Sequence, residues 1–279
     1  MSDILLHLLP HIVSALLYAA LGVHFWHTRW RETDKPLATL PMQLWERVAI
    51  AGTLTIHGIG LYDGLFSAGV MRFSFSYALS LMLWLAVFIY WLESFHSRMD
   101  GLQPMVLPLA ALCSLLPALF PHVRMIAHAG AWGFKLHFLA AMLAYSLFTL
   151  AALHAIFMSF AERKLHRRAS NKSLASLPPI LTMEAVLFRM IVIAFALLTV
   201  ALGSGVLFSE AIFGKAMALD HKTLFGFISW GIFAALLVGR HAYGWRGRIA
   251  LRCTLAGFMV LLLAYIGSSF VAEVILGRT

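Results

Sequence analysis

Long apolar runs recur along the whole chain, and short polar or charged stretches separate them. A run of about 20 apolar residues is the length that an α-helix needs to cross the hydrocarbon core of a bilayer. The pattern predicts eight membrane-spanning helices, at about residues 4–26, 48–68, 74–95, 104–120, 136–160, 186–209, 222–240 and 250–275. These helices use nearly all of the chain. We therefore predict an all-α polytopic membrane protein with a single transmembrane domain over residues 1–279.

Two segments depart from this regular alternation. The fourth predicted helix, 104–120, is short, and prolines bound and interrupt it, which favours a kinked or partly re-entrant helix. The strongly polar stretch from Glu162 to Ser176 separates the fifth and sixth helices and runs into Pro178-Pro179. This composition predicts the one long polar loop of the chain.

The composition agrees with a bilayer as the solvent. Of the 279 residues, 61% are hydrophobic and 12% are charged, and the mean hydropathy is +0.86. A soluble domain carries about a quarter of charged residues, so a water-soluble globule and a disordered chain are both excluded. The net charge of +9 comes from basic residues scattered among loops, and we expect no nucleic-acid partner. Cys113 and Cys253 both lie in apolar segments and predict neither a disulfide framework nor thiol chemistry.

The distribution of basic residues predicts the orientation. If the N-terminus is placed outside, most of the 21 Lys and Arg residues fall in inner loops and inner helix ends. Such a bias is typical of cytoplasmic loops. We therefore predict that both termini face outward, into the periplasm. The first apolar run ends at basic and aromatic residues rather than at small ones, so we expect a retained span rather than a cleaved signal.

Histidines are the residues most able to carry chemistry in this chain, which has 13 of them against 12 acidic residues. Neutral imidazole is a common haem and metal ligand, and an ionisable group at bilayer depth needs a partner or a function. His57 lies midway along the second predicted helix, flanked by Gly58 and Gly60. The sequence leaves two interpretations of His57 open, a structural hydrogen bond and a ligand.

The remaining histidines lie closer to helix ends. His137 and His221 open the fifth and seventh predicted helices on the outer side, and His241 closes the seventh on the inner side. We interpret most of the others as interfacial and solvated, namely His7, His11, His27, His96, His122, His128 and His166.

Sequence motifs of hydrolysis or phosphoryl transfer are absent from the chain. Several mid-span acids, which a proton-driven transporter needs, are missing as well. Ligation of a haem by two histidines from separate helices is therefore the leading hypothesis for its chemistry.

Several blocks of the sequence resemble the cytochrome c assembly family. The resemblance covers about residues 45–275 and is most specific in the Gly-Trp-Arg-Gly block at 244–247. Within this family, the sequence resembles above all the YpjD branch of inner-membrane proteins. The blocks are Lys135–Tyr145, Pro178–Glu184, Thr199–Gly205, Leu219–Trp230, Gly239–Arg248 and Gly257–Phe270.

The resemblance implies that the protein handles haem in a bacterial inner membrane. His57 and His241 match the histidines that ligate haem within the membrane, and His137 matches the first of two outward histidines. Two features depart from the family pattern: residues 208–220 lack the family's Trp-rich loop, and the tail 273–279 has no second outward histidine. We expect His221 to substitute for that second ligand.

Three functions follow as hypotheses from the resemblance. The first is a haem-binding protein related to cytochrome c maturation, with b-type haem held by His57 and His241 and with maturation components or another membrane protein as partners. The second is a HemX-like membrane regulator or scaffold without a cofactor. The third is an electron-transfer cytochrome b. Because the Trp-rich loop is missing, an accessory role is favoured over an enzymatic one.

Overall fold

A computed structural model describes residues 2–31, 42–66, 71–95, 101–121, 124–125, 130–168, 180–213 and 221–275. Its eight main helices are α1 (Ser2–Phe25), α2 (Leu44–Leu65), α3 (Phe75–Glu93), α4 (Gln103–Leu119), α5 (Trp132–Arg168), α6 (Ile180–Phe213), α7 (His221–Tyr243) and α8 (Arg248–Leu262). The all-α polytopic fold is thereby confirmed. The helices α5 and α6 extend beyond the predicted bounds, and α5 continues past its apolar run through the polar residues up to Arg168.

Two helices continue in π-helical form. Helix α1 runs on as a π-helix over Trp26–Arg31, and α8 runs on through Leu263–Gly267, Ser268–Phe270 and Val271–Ile275. At the start of the second continuation, the Tyr145 hydroxyl donates a 2.9 Å hydrogen bond to the Leu261 carbonyl. This bond ties α5 to the point where the geometry of α8 changes.

Seven of the described helices are long and apolar enough to cross a membrane, and α4 is the exception. With 17 residues, α4 is about 25 Å long, a little less than the hydrocarbon core. It contains Pro108 and Pro117 and is deeply buried between its neighbours. The short, proline-containing fourth helix expected from the sequence is therefore confirmed.

The helices pack in two sets of four. Helix α1 packs against α2 and α4, and α3 packs against α2 and α4, which makes the first set. In the second set, α5 packs against α6 and α8, and α7 packs against α6 and α8. The main contact between the sets is made by α3 and α5, and a two-stranded antiparallel pairing of β1 (Arg72–Phe73) with β2 (Arg124–Met125) lies beside the helices.

A close approach of α1 and α4 depends on a glycine. A Cβ atom on Gly22 would lie 2.9 Å from Cγ of Pro108, a distance at which something must shift. The missing side chain lets the two helices touch along their backbones, as small residues do in membrane bundles. The position of α1 over α4 in turn sets which α1 side chains face α2.

All six described ion pairs lie at one side of the bundle, where α1, α3, α5 and α7 end and α2, α6 and α8 begin. We call this side the charged side. It is the side on which the sequence places most basic residues, and its assignment to the cytoplasm stays a prediction.

The loop between α7 and α8 is folded around Glu184 of α6. The Glu184 carboxylate accepts hydrogen bonds from Arg240 and, at 3.1 Å, from Arg246. The Trp245 backbone N–H donates to the Gly239 carbonyl at 3.1 Å, which closes the loop onto the end of α7. Gly244 and Gly247 adopt the positive φ angles that glycine tolerates best.

We expect Gly239→Ala to lower the free energy of unfolding by about 1 to 3 kcal/mol, the usual cost of overpacking. A Cβ atom at this position would overlap the indole ring of Trp245, which the loop holds in place. Gly231→Ala on the same helix is the matched control, because nothing lies within 4 Å of its Cβ position. Thermal unfolding in detergent measures both variants. Equal melting temperatures would contradict this account of the loop.

Candidate functional site

His57 is the centre of a buried polar cluster within the first helix set. Its side chain is 0% exposed, and its Nε2 atom lies 2.8 Å from the Ser80 hydroxyl of α3. Its Nδ1 atom lies 3.4 Å from the Tyr18 hydroxyl of α1. The His11 ring meets the His57 ring edge to face, with the centroids 6.4 Å apart. Both ring nitrogens of His57 therefore have protein partners, on two different helices.

His11 corrects an expectation from the sequence. We expected it to be solvated at a helix end, but it is 3% exposed and packs against His57 and Tyr77. Gly60 lets α1 approach α2 closely beside His11, since a Cβ atom on Gly60 would lie 2.9 Å from Cβ of Pro10. The reason is the close packing of α1 onto α2, which a hydrophobicity profile does not show.

His241 lies in the second helix set, near the end of α7 on the charged side, and it is exposed. The described ring and hydrogen-bond partners of His57 come from α1 and α3, and α7 packs mainly against α6 and α8. The described contacts therefore do not bring His57 and His241 together. Joint ligation of one haem by His57 and His241 stays a prediction.

His24 and His154, two further histidines of the spans, are also engaged. His24 lies 3.0 Å from the Glu46 carboxylate. Nε2 of His154 donates to the Met183 carbonyl at 2.9 Å, and its buried Nδ1 atom has no hydrogen-bond partner in the described part of the chain. In the described part of the chain, the hydrogen-bond partners of His24 and His154 do not include His241.

His137 differs from these buried residues in both position and chemistry. It lies in the second turn of α5, on the side of the bundle opposite the charged side, and is half-buried. Its Nδ1 atom donates to the Ala201 carbonyl at 2.9 Å, with the Ser204 hydroxyl 3.3 Å away. A carbonyl only accepts, so Nδ1 carries the proton, and in the neutral imidazole Nε2 keeps its lone pair. Metal-binding histidines are commonly oriented and tautomerically fixed in this way.

Helix α6 has two glycines, Gly203 and Gly205, in the segment that contacts His137. A Cβ atom on Gly205 of α6 would lie 3.4 Å from Cε1 of His137, and the position above Gly203 is open to 4 Å. His221 opens α7 and is exposed, and the Lys222 ammonium next to it lies 5.3 Å from the ring centre of Tyr265. Helix α6 ends only a short connection before α7 begins, so His137 and His221 belong to the same side of the bundle. We call this side the His137 side.

The structure shows three polar clusters that the sequence analysis missed. They are the Tyr18–His57–Ser80 hydrogen bonds, the Glu46 carboxylate shared by His24 and Arg29, and the Glu184 carboxylate shared by Arg240 and Arg246. The seven-residue spacing of His11 and Tyr18, which places them on one helix face, was a readable signal for the first. The two carboxylates give no such signal, because their partners are distant in sequence.

The seven described helices of membrane-crossing length define a multi-pass membrane protein. The chain belongs to the family of cytochrome c assembly proteins, which it matches over residues 45–276.

The family includes relatives of moderate similarity. The chain is 31% identical to the inner membrane protein YpjD of Escherichia coli K12 over 169 residues, which are 59% of this chain and 62% of YpjD. It is 33% identical over 185 residues to a 28.8 kDa protein from the nifR3-like 5′ region of Azospirillum brasilense, covering 63% of this chain and 66% of that protein. It is 36% identical over 88 residues to the cytochrome c biogenesis protein CcsA of Prochlorococcus marinus MIT 9215, covering 32% of this chain and 28% of CcsA. No solved structure matches the chain.

Proposed function

We propose that this protein binds b-type haem at the His137 side of the bundle and takes part in cytochrome c maturation as a haem-handling accessory protein. The observation that carries the proposal is the hydrogen bond from Nδ1 of His137 to the Ala201 carbonyl. It fixes the tautomer that leaves the Nε2 lone pair for iron. Membership in the cytochrome c assembly family supports the same chemistry.

The residues around His137 suit a large planar ligand. Gly203 of α6 has nothing within 4 Å of its Cβ position, so a flat ring could approach the α6 backbone closely there. Lys135 is exposed on α5, and Lys222 follows His221 on α7, so both helix starts carry a cation that could pair with a carboxylate of the ligand. His221 is the candidate second ligand. When bound, haem would supply an iron centre that imidazole nitrogens such as those of His137 and His221 could hold.

The chain's own residues would bind and orient such a ligand. The Ala201 carbonyl and the Ser204 hydroxyl hold the imidazole of His137 in one orientation, and the half-buried position limits the access of water to it. Exposure of His221 would allow release of the ligand toward a partner. A component of cytochrome c maturation is the partner class that the family suggests.

A haem shared by His57 and His241 is a separate part of the hypothesis. The hydrogen bond at one ring nitrogen of His57, to Ser80 or to Tyr18, would have to break before that nitrogen could bind iron. The same hydrogen bonds favour the alternative of a membrane regulator or scaffold with no cofactor in its interior, because they satisfy the buried imidazole without one.

The test is the haem content of the protein purified in mild detergent from haem-replete cells, read as a reduced-minus-oxidised spectrum and as haem per protein. We expect His137→Ala to reduce the haem content at least about tenfold, since second-shell and ligand losses have effects of this order. His166→Ala, near the other end of the same helix, is the matched control and should retain haem. Wild-type protein without a haem band would contradict the proposal and favour the regulator.

A further inference from the structure

An apolar groove of about 530 Å³ lies between α2 and α3. One wall consists of the aromatic side chains of Trp84, Phe88 and Trp91, which stack in sequence, with Trp84 and Phe88 nearly parallel at 3°. The opposite wall has small residues of α2, among them Ala51, Thr55 and Gly58. We call this feature the α2–α3 groove. It is separate from His137, and nothing in it depends on haem.

The walls of the groove are held in place by hydrogen bonds. The Trp84 indole N–H donates to the Leu54 carbonyl at 2.8 Å, and the Trp91 indole N–H donates to the Arg47 carbonyl at 3.0 Å. A Cβ atom on Gly58 would lie 3.3 Å from the Trp84 ring, so a larger residue there would crowd the wall. The groove is therefore a fixed feature between two helices rather than a gap between loose side chains.

The dimensions of the groove match one leaflet of a membrane. From Ala51 to Tyr62 its lining covers roughly 16 Å of helix α2. Half of the ~30 Å hydrocarbon core is about the same length. Thr55 and Ile59 are exposed, so the groove opens outward from the bundle, where lipid surrounds the protein. An acyl chain is the apolar molecule that this environment supplies.

The positively charged side chain of Arg47 lies near one end of the groove. Arg47 lies one helical turn before Ala51, at the charged side, and its Nη2 atom donates to the Ser94 carbonyl of α3 at 3.0 Å. The guanidinium carbon lies 4.4 Å from the centre of the Phe95 ring. The side chain thus crosses from α2 to α3 just beyond Trp91, and its buried Nε atom has no hydrogen-bond partner within the described structure.

The carboxylates near Arg47 are occupied by other cations. Glu46 binds His24 and Arg29, and Glu93 binds Arg189. None of the ion pairs in the described ranges includes Arg47. A partly buried guanidinium favours a bidentate anion such as a phosphate.

From these observations we infer that the α2–α3 groove is a binding site for an anionic phospholipid, with one acyl chain in the groove and the phosphate on Arg47. The apolar walls would hold the chain at one leaflet's depth, and Arg47 would select the charge of the headgroup. The proposal commits to a lipid rather than a soluble phosphate, because Arg47 lies one helical turn from the lining residue Ala51 and its carbonyl accepts the hydrogen bond of the lining residue Trp91.

The experiment is native mass spectrometry of the delipidated full-length protein with added phosphatidylglycerol or phosphatidylcholine of identical acyl chains. We expect phosphatidylglycerol to bind about tenfold more tightly, because the choline cation of phosphatidylcholine offsets the charge of its phosphate beside Arg47. Arg47→Gln should remove this preference. Thr55→Phe, which fills the groove, should weaken the binding of both lipids.

Two variants serve as matched controls. Arg252→Gln removes an exposed arginine of α8, and Val48→Phe adds a ring to an exposed position of α2 that does not line the groove. Both should bind lipid like the wild type. Equal binding of the two lipids by the wild type, or an unchanged preference in Arg47→Gln, would overturn the proposal. Glycerol phosphate binding as tightly as the whole lipid would overturn it as well, since the groove would then contribute nothing. If Arg47→Gln does not fold, the Thr55→Phe result decides.

Discussion

Glu46→Gln is expected to lower the free energy of unfolding by about 3 to 5 kcal/mol, the usual cost of breaking a buried ion pair. The Glu46 carboxylate accepts from His24 at 3.0 Å, from Arg29 at 3.2 Å and from the Gln43 backbone N–H at 2.7 Å. Both Glu46 and Arg29 are almost fully buried, at 3% and 5% exposure. The variant would leave the charge of Arg29 buried with no counter-charge in this cluster.

Thermal unfolding in a mild detergent, followed by far-UV circular dichroism, measures this effect. Glu162→Gln is the control, because Glu162 and Arg248 are 3.5 Å apart and their side chains are 31% and 73% exposed. An exposed pair of this kind contributes at most about 1 kcal/mol. If the two variants unfolded at the same temperature, the ion pairs of Glu46 would not stabilise the contact between α1 and α2 as their geometry indicates.

His57→Ala is expected to lower the free energy of unfolding by about 2 to 4 kcal/mol. The substitution leaves a cavity among α1, α2 and α3 and removes the partner of the Ser80 and Tyr18 hydroxyls. In a bilayer core, water is not available to replace that partner. His241→Ala, at an exposed position, should change stability by less than about 0.5 kcal/mol.

The same two variants also test the predicted intramembrane haem. Because His57 is already hydrogen-bonded, we expect His57→Ala to retain the haem bound at the His137 side, with an unchanged ratio of haem to folded protein. A haem band that disappears in both His57→Ala and His241→Ala while the proteins remain folded would instead establish the two histidines as joint ligands. A destabilised His57→Ala with normal haem content assigns His57 a structural role.

The helices could be predicted from the sequence because each needs only local information. A run of about 20 apolar residues has one stable arrangement in a bilayer, in which the backbone satisfies its own hydrogen bonds. All eight helices therefore appear where the apolar runs are, and the proline-containing α4 is short, as expected. The family could also be predicted from the sequence, because the Gly-Trp-Arg-Gly block is contiguous in the chain.

The candidate site was only partly predictable. The sequence indicated that His137 begins a helix, but the Ala201 carbonyl that fixes its tautomer is 64 residues away. His11 was expected in solvent, and only the packing of α1 onto α2 shows it buried against His57. The partners of Glu184 lie 56 and 62 residues further on, so their pairing depends on how α6 and α7 meet.

The sequence by itself determined the all-α membrane fold, the short fourth helix, the cytochrome c assembly family and the set of histidines able to carry chemistry. Only the tertiary structure decided which of those histidines form hydrogen bonds within the bundle and which partners they have. Hydrophobicity is a property of each residue and can be read from the chain. Hydrogen bonds between helices depend instead on how each helix is rotated about its axis and on its depth in the membrane. Those two quantities are fixed when the helices pack.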